Sequence, residues 1–267
     1  MSALLFELKQ KPDQRLDLSP LVPSRLKDLK AKEIEALSIG TTRVKLTVGD
    51  VFKVKGKDPA QIHFAGTDGR CDKIGAALTE GEIVIEGDVG AYLGAGMKRG
   101  RIEVKGNAGA LAGASMAGGS IAISGHAGER AGGILVGETM GMKGGVLTIG
   151  KKAGPMLGER MRRGLIIVEG NAGDYAGARM IAGTIVFKRA VGRSAGYGLR
   201  RGSLIFIEEP NDVLPTFGDC GVMEFDYLRL LERWLRGIGV RFKLGDRARR
   251  LMGDMSVLGK GEMLILV

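Results

Sequence analysis

The sequence predicts a mainly β chain whose middle is a parallel β-helix built of 19-residue coils. Three observations carry this reading. A leading Leu or Met falls at 78, 97, 116, 142, 161, 180 and 199, so units start 19 residues apart except at one step of 26. Within the units apolar residues alternate, as at Ile102 and Val104, Ile166 and Val168, Ile185 and Phe187, and Leu204 and Phe206, the period of a strand with one buried face. Each unit then runs through Gly and Ala-Gly steps, as at Gly170, Gly173 and Gly177, where the chain bends or approaches itself closely.

A unit of this length has no room for a strand, a helix and two connections, and none of the units shows a 3.6-residue period. Helical solenoids are therefore excluded. Stacked coils instead place equivalent positions about 4.8 Å apart and bury each apolar face against its neighbours. The step of 26 is one unit plus a seven-residue insertion, LVGETMG, at 135–141. The recurrence also settles what the glycines do: a phosphate loop occurs once in a domain, whereas these turns repeat. No GxxxxGK[ST] is present, and the GxG fragments lack the strand-to-helix setting of a dinucleotide fold.

The ends differ from the middle. Residues 1–58 carry no clear repeat and are expected to form a mixed α/β segment with a helical piece at SRLKDLKAKEIEAL (24–37). Residues 59–77 read as a degenerate first coil, so the β-helix spans 59–209 in seven to eight coils. Residues 210–267 are expected to hold a capping helix. There MEFDYLRLLERWLRG sets Phe225, Leu228, Leu231, Trp234 and Leu235 on one stripe, and Gly237 supplies the stop.

Composition narrows the function. The chain has 267 residues, 44% hydrophobic, and its 45 glycines belong to turns rather than disorder. No apolar run reaches the roughly 18 residues of a membrane span, and the charged N-terminus does not resemble a signal peptide, so a cytoplasmic protein is expected. Cys71 and Cys220 show no pairing pattern, which fits a reducing compartment.

The net charge of +10 is concentrated. Residues 142–207 hold 12 Lys and Arg against 3 acidic residues, whereas 78–141 hold 5 against 7. The repeat stacks this charge: Lys143, Arg162 and Arg200 share one column, Arg163 and Arg201 the next, and Arg160 and Arg179 precede the leading Met. A guanidinium cluster without acidic neighbours suits an anion, although solvated surface charge remains the simpler alternative. Nucleic acid is a poor candidate, because four tyrosines, eight phenylalanines and one tryptophan supply no stacking platform on these columns.

Catalytic material is scarce. His63 and His126, the two histidines, lie in different units, and His126 stands where other units have Asn107 or Asn171, which points to a structural role. No Cys/His spacing suits zinc. Glu208 and Glu209 point to opposite faces of a strand, so they cannot share acid/base work. The residue between the two inward positions faces out and is Val84, Glu103, Ala122, Thr148, Ile167, Val186 and Ile205 in successive units. Stacked, it makes an apolar ridge, either an interface or a surface covered by the chain's own ends.

The tandem G-x-[IL]-x-[VIF]-x-G-x-A-G-x-x-A-G units, the long coil with GETMGMKGG and the stretch PTFGDCG at 215–221 resemble the C-subunit family of formylmethanofuran dehydrogenase over roughly 37–221. The bacterial branch of that family belongs to the formyltransferase/hydrolase complex of methylotrophs. MRRG, LRRG and GDVGAY look closer to that branch than to the archaeal tungsten or molybdenum enzymes. A more distant likeness is to the C-terminal domain of glutamate synthase. The resemblance implies a right-handed β-helix that is not itself catalytic. It implies partners as well: the A, B and D components of the complex, of which A is amidohydrolase-like and D is a formyltransferase. Together these would move a formyl group from tetrahydromethanopterin to a methanofuran-type carrier and release formate during formaldehyde oxidation. Such carriers have glutamate-rich tails, which makes Arg160, Arg162, Arg163, Arg179, Arg200, Arg201 and Lys143 candidate anchors, with no metal in this chain. Two other classes stay open: a stand-alone β-helix enzyme, which would need clustered carboxylates, and a purely structural protein docking an acidic partner.

Overall fold

The computed structural model describes residues 2–267. The chain opens with β1 (Ala3–Leu8) and β2 (Leu16–Asp17), followed by three short helices, α1 (Pro23–Leu26), α2 (Ala31–Glu35) and α3 (Val48–Val51). It then forms β3 (Phe52–Lys55), β4 (Asp58–Thr67) and β5 (Cys71–Asp72). The repeated units supply β6 (Glu82–Gly87), β7 (Arg101–Val104), β8 (Ala117–Ile123), β9 (Lys143–Ile149), β10 (Arg163–Val168), β11 (Thr184–Phe187) and β12 (Arg201–Phe206). After them come β13 (Gly218–Glu224), α4 (Asp226–Gly237), β14 (Arg247–Gly253) and β15 (Lys260–Leu266).

The protein is mainly β, with few helices and one large sheet dominated by parallel pairs. The thirteen strands run in the order β13-β14-β15-β12-β11-β10-β9-β8-β7-β6-β4-β1-β3, and the sheet is open at β13 and β3. The repeat sets its register. Ile83 lies opposite Ile102, Ile102 opposite Ile121, Ile166 opposite Ile185 and Ile185 opposite Leu204. Ile121 lies opposite Leu147, so the apolar column continues past the insertion, although the register of β8 with β9 shifts between Ala117 and Ser120. A second parallel ladder of single bridges joins Val89, Ala108, Ala127, Ala153, Ala172 and Val191 at the same steps.

The core lies between the two ladders. The leading column, Met97, Met116, Met142, Met161, Met180 and Leu199, is fully buried. Unbranched methionine side chains adapt to the narrow space beside the glycine turns. At one end Phe6, Phe52 and Phe64 fill the core, with Phe6 and Phe64 stacked at 5.1 Å between centroids.

Several expectations change. The helical piece expected at 24–37 is two helices of four and five residues, separated at Lys27–Lys30. Lys30 is extended, and the Glu33 carboxylate accepts its N–H at 2.6 Å, which starts a second helix instead of continuing the first. Helix α4 lies on a face of the sheet rather than over the end of the stack. Its Leu228 and Leu235 are buried against Ile167, Val186, Ile205 and Leu264. Those outward positions are apolar and need cover, whereas Val84, Glu103, Ala122 and Thr148, earlier in the same column, stay half-exposed. The predicted ridge is thus covered by the chain itself along its more apolar half. Trp234, expected on the buried stripe, is 45% exposed.

Candidate functional site

The basic residues divide into separate groups. Arg160, Arg179 and Arg200 line one cavity of about 700 Å³ at the turns of the later repeated units. Its other walls come from outside the repeat: Thr139 and Met140 of the insertion, and Ser256 and Val257 of the loop between β14 and β15. Tyr197 completes it, and its ring meets that of Tyr175 edge-on at 6.1 Å.

The neighbouring candidates lie elsewhere. Arg162 sits at the rim, with Nη1 3.1 Å from Met140 Sδ. Lys143 is paired with Glu138 at 3.2 Å. The expected column of Lys143 with Arg162 is displaced by one residue, because Lys143 stands opposite Arg163 and the register shifts before Leu165. Gly164, at φ +103, makes that irregularity possible. Arg201 stands opposite Lys260 at the start of β12, followed by Gly202 at φ +94, the counterpart of Gly164. Neither Arg163 nor Arg201 lines the cavity.

None of Arg160, Arg162, Arg163, Arg179, Arg200 and Arg201 has an acidic partner within 4.0 Å among the described residues. Other exposed arginines are paired, such as Arg189 with Glu208 at 2.6 Å and Arg249 with Asp219 at 2.7 Å. Arg160 and Arg179 also sit in the left-handed region, at φ +53 and +54, at the turn position held by Gly96 and Gly198 in other repeated units. Ala77 and Ser115 share that conformation, so the turn imposes it and the arginines bear its cost.

A buried carboxylate underlies the cavity. Asp254 is 1% exposed; its Oδ2 accepts the Gly198 N–H at 3.0 Å and its Oδ1 the Ser256 N–H at 2.8 Å. Burial pushes its carboxyl up, but the hydrogen bonds from Ser256 and Gly198 outweigh that and hold it below the ordinary carboxylate range. These bonds tie the 254–259 loop to the turn carrying Tyr197 and Arg200.

Two side chains suited to nucleophilic or acid/base work, Cys71 and His126, serve the fold. Burial pushes the Cys71 thiol up to about 11, which makes it a poor nucleophile. His126 belongs to a ladder: Asp88 accepts the Asn107 N–H, Asn107 accepts the His126 N–H, and His126 Nδ1 accepts the Lys152 N–H at 3.1 Å. Among the described residues no three His, Cys, Asp or Glu side chains gather as a metal site, and no helix is long and apolar enough to cross a membrane.

No protein-family model matches the chain. A solved structure does: a chain of the formyltransferase/hydrolase complex FhcABCD from Methylorubrum extorquens, determined in complex with methylofuran, superposes with a TM-score of 0.93 at 42% identity. The match covers 98% of this chain and 99% of that one. In sequence, the C subunit of that organism's formyltransferase/hydrolase complex Fhc is 43% identical over 80 residues. The chain belongs to the C-subunit family of the formyltransferase/hydrolase complex. Its kinship extends to the C subunit of tungsten-containing formylmethanofuran dehydrogenase 2 from Methanococcus maripaludis, 29% identical over 95 residues. The two sequence matches span 30% and 35% of the relatives' lengths.

Sequence reasoning missed Tyr197, Met140, Val257 and Asp254 as parts of the site. The insertion was visible as a break in the period. The 254–259 loop carried no such signal, because it reaches the cavity only through the pairing of β15 with β12.

Proposed function

We propose that this chain is the non-catalytic scaffold of a formyltransferase/hydrolase complex and that its arginine cavity holds the acidic tail of a methanofuran-type carrier. In this reading its partners in the cytoplasm are the amidohydrolase-like A component, the B component and the formyltransferase D component. They transfer a formyl group from formyl-tetrahydromethanopterin to the carrier and release formate. The 19-residue coils follow a right-handed β-helical path, with 1–58 and 210–267 as flanking segments. A rigid stack of this kind suits a tether, because its side chains keep fixed spacing while a mobile tail crosses them.

The observation that carries the reading is the convergence of Arg160, Arg179 and Arg200 on one cavity without intrachain counter-ions. Three guanidinium groups from adjacent turns suit a chain of carboxylates better than a single anion, since each can take a bidentate pair. The carrier's reacting head is left to the partner subunits, in keeping with a non-catalytic role for this chain.

The test is calorimetric titration of the full chain with penta-L-glutamate at low and high ionic strength. Replacing Arg160, Arg179 and Arg200 by Gln removes charged hydrogen bonds worth about 1.5–3 kcal/mol each, so affinity drops by more than roughly tenfold. Binding by the unaltered chain weakens with salt. Equal affinity in the triple variant rejects the tether.

A further inference from the structure

The two loops that wall the arginine cavity present apolar side chains to solvent. In the loop between β14 and β15, Met255 is 62% exposed, Val257 43% and Leu258 54%; Val136 in the insertion is 96% exposed. Tyr197 stands between the loops at the cavity edge. Neither loop needs these side chains for its own fold. The insertion is closed by Ser115 Oγ, which donates to the Met140 carbonyl and accepts the Leu135 N–H. The 254–259 loop is pinned by Asp254, whose backbone carbonyl accepts the Val257 and Gly259 N–H groups. Both are thus fixed platforms, and Met and Tyr are side chains enriched where proteins meet.

Charge at the centre of this rim selects its occupant. A second copy meeting it about a two-fold axis would set one unpaired Arg160, Arg179 and Arg200 cluster against another, and like charges across an interface are strongly unfavourable. A partner with an apolar, uncharged patch meets no such penalty, and the acidic tail held between the two supplies the counter-charge.

We propose that the rim of Val136, Tyr197, Met255, Val257 and Leu258 seats one partner subunit of the complex, an apolar surface patch of which roofs the arginine cavity and turns it into a passage for the acidic tail. This rests on the reading of the cavity as a tail site, and it assigns the partner that the site faces. The arginines hold the tail, whereas the rim holds the roof.

The experiment separates the two. Met255→Asp/Leu258→Asp and a milder Met255→Ser/Leu258→Ser, at rim positions that do not line the cavity, are co-expressed with the other subunits, and the assemblies are weighed by native mass spectrometry. The Asp pair is expected to lose one subunit, with its affinity for the complex down roughly tenfold or more, and the Ser pair to show a smaller loss in the same direction. Circular dichroism of the isolated full chain stays unchanged in both pairs, and its penta-L-glutamate binding stays unchanged in the uncharged Ser pair. An intact complex with the Asp pair overturns the seat, as does a sedimentation shift showing that the chain alone dimerises through these residues. Binding of the isolated chain to phosphatidylglycerol vesicles that the Asp pair abolishes would make the rim a lipid contact and overturns the seat as well. The Arg160, Arg179 and Arg200 to Gln variant assembles normally while losing penta-L-glutamate. Should it still bind penta-L-glutamate, the tail reading falls while the seat is judged by assembly alone.

Discussion

The Gly198 N–H donates to Asp254 Oδ2 at 3.0 Å, across 56 residues of sequence, and joins a repeat turn to a loop outside the repeat. Asp254→Ala leaves the buried Gly198 N–H without an acceptor, at a cost of about 1–3 kcal/mol. The pH dependence follows from the lowered carboxyl. A group whose folded pKa lies below its unfolded value, near 3.9 for Asp, stabilises fully above that value and loses the contribution as pH falls through the folded one. Urea unfolding is therefore expected to separate the wild type from Asp254→Asn clearly at neutral pH, with the gap closing in acid below about pH 4. A gap that widens in acid would show that Asp254 is not held ionised.

Gly132 tests the turns of the repeat. At φ +67 its missing Cβ would lie 2.6 Å from Ile166 Cδ1, with Leu147 Cδ2 at 3.7 Å. Gly132→Ala costs about 1–2 kcal/mol for the left-handed backbone and about 1–3 kcal/mol for the crowding. Ile166→Val deletes the clashing atom, and by itself costs about 0.5–1.5 kcal/mol. Denaturant midpoints of the double variant are expected to show less destabilisation than the two singles added together. Additivity within about 0.5 kcal/mol would place the clash elsewhere.

Helix α4 carries opposite expectations at adjacent positions. Leu235 is fully buried over Ile167, Val186 and Ile205, so Leu235→Ala is expected to cost about 2–5 kcal/mol and to raise the fluorescence of an apolar-surface dye. Trp234, half-exposed, bears less on the fold, and Trp234→Ala is expected to stay within about 0.5 kcal/mol. Equal effects would mean that the helix does not close the sheet face as described.

The period was legible because stacking enforces it. A Met or Leu at each unit start is buried, and a strand shifted by one residue would turn its whole apolar set outward. The apolar outward column at Ile167, Val186 and Ile205 was legible too, but not what covers it, since that depends on where α4 lands after β13. The arginines were legible as residue types and not as a group. Arg160 and Arg200 belong to different columns of the repeat yet line one cavity, while Arg201, next to Arg200, does not line it. Asp254 lay beyond reach, because only the long-range pairing of β15 with β12 brings it under Gly198.

Arg160 and Arg179 set stability against binding. Each holds the left-handed backbone that costs a side-chain-bearing residue about 1–2 kcal/mol, at a turn position where Gly96 and Gly198 sit without that cost. Glycine in turn loses about 0.5–1 kcal/mol to the freedom of the unfolded chain. The balance makes Arg160→Gly and Arg179→Gly neutral to about 1 kcal/mol more stable, whereas most substitutions at ordered positions destabilise. Both also remove a guanidinium from the cavity, so penta-L-glutamate affinity is expected to fall in each and to lose most of its salt dependence in the pair. Thermal midpoints and calorimetry on the same samples read the two effects together. A pair that is less stable and still binds would mean that these arginines are held for the turn; a pair that is more stable and does not bind means that they are held for the anion.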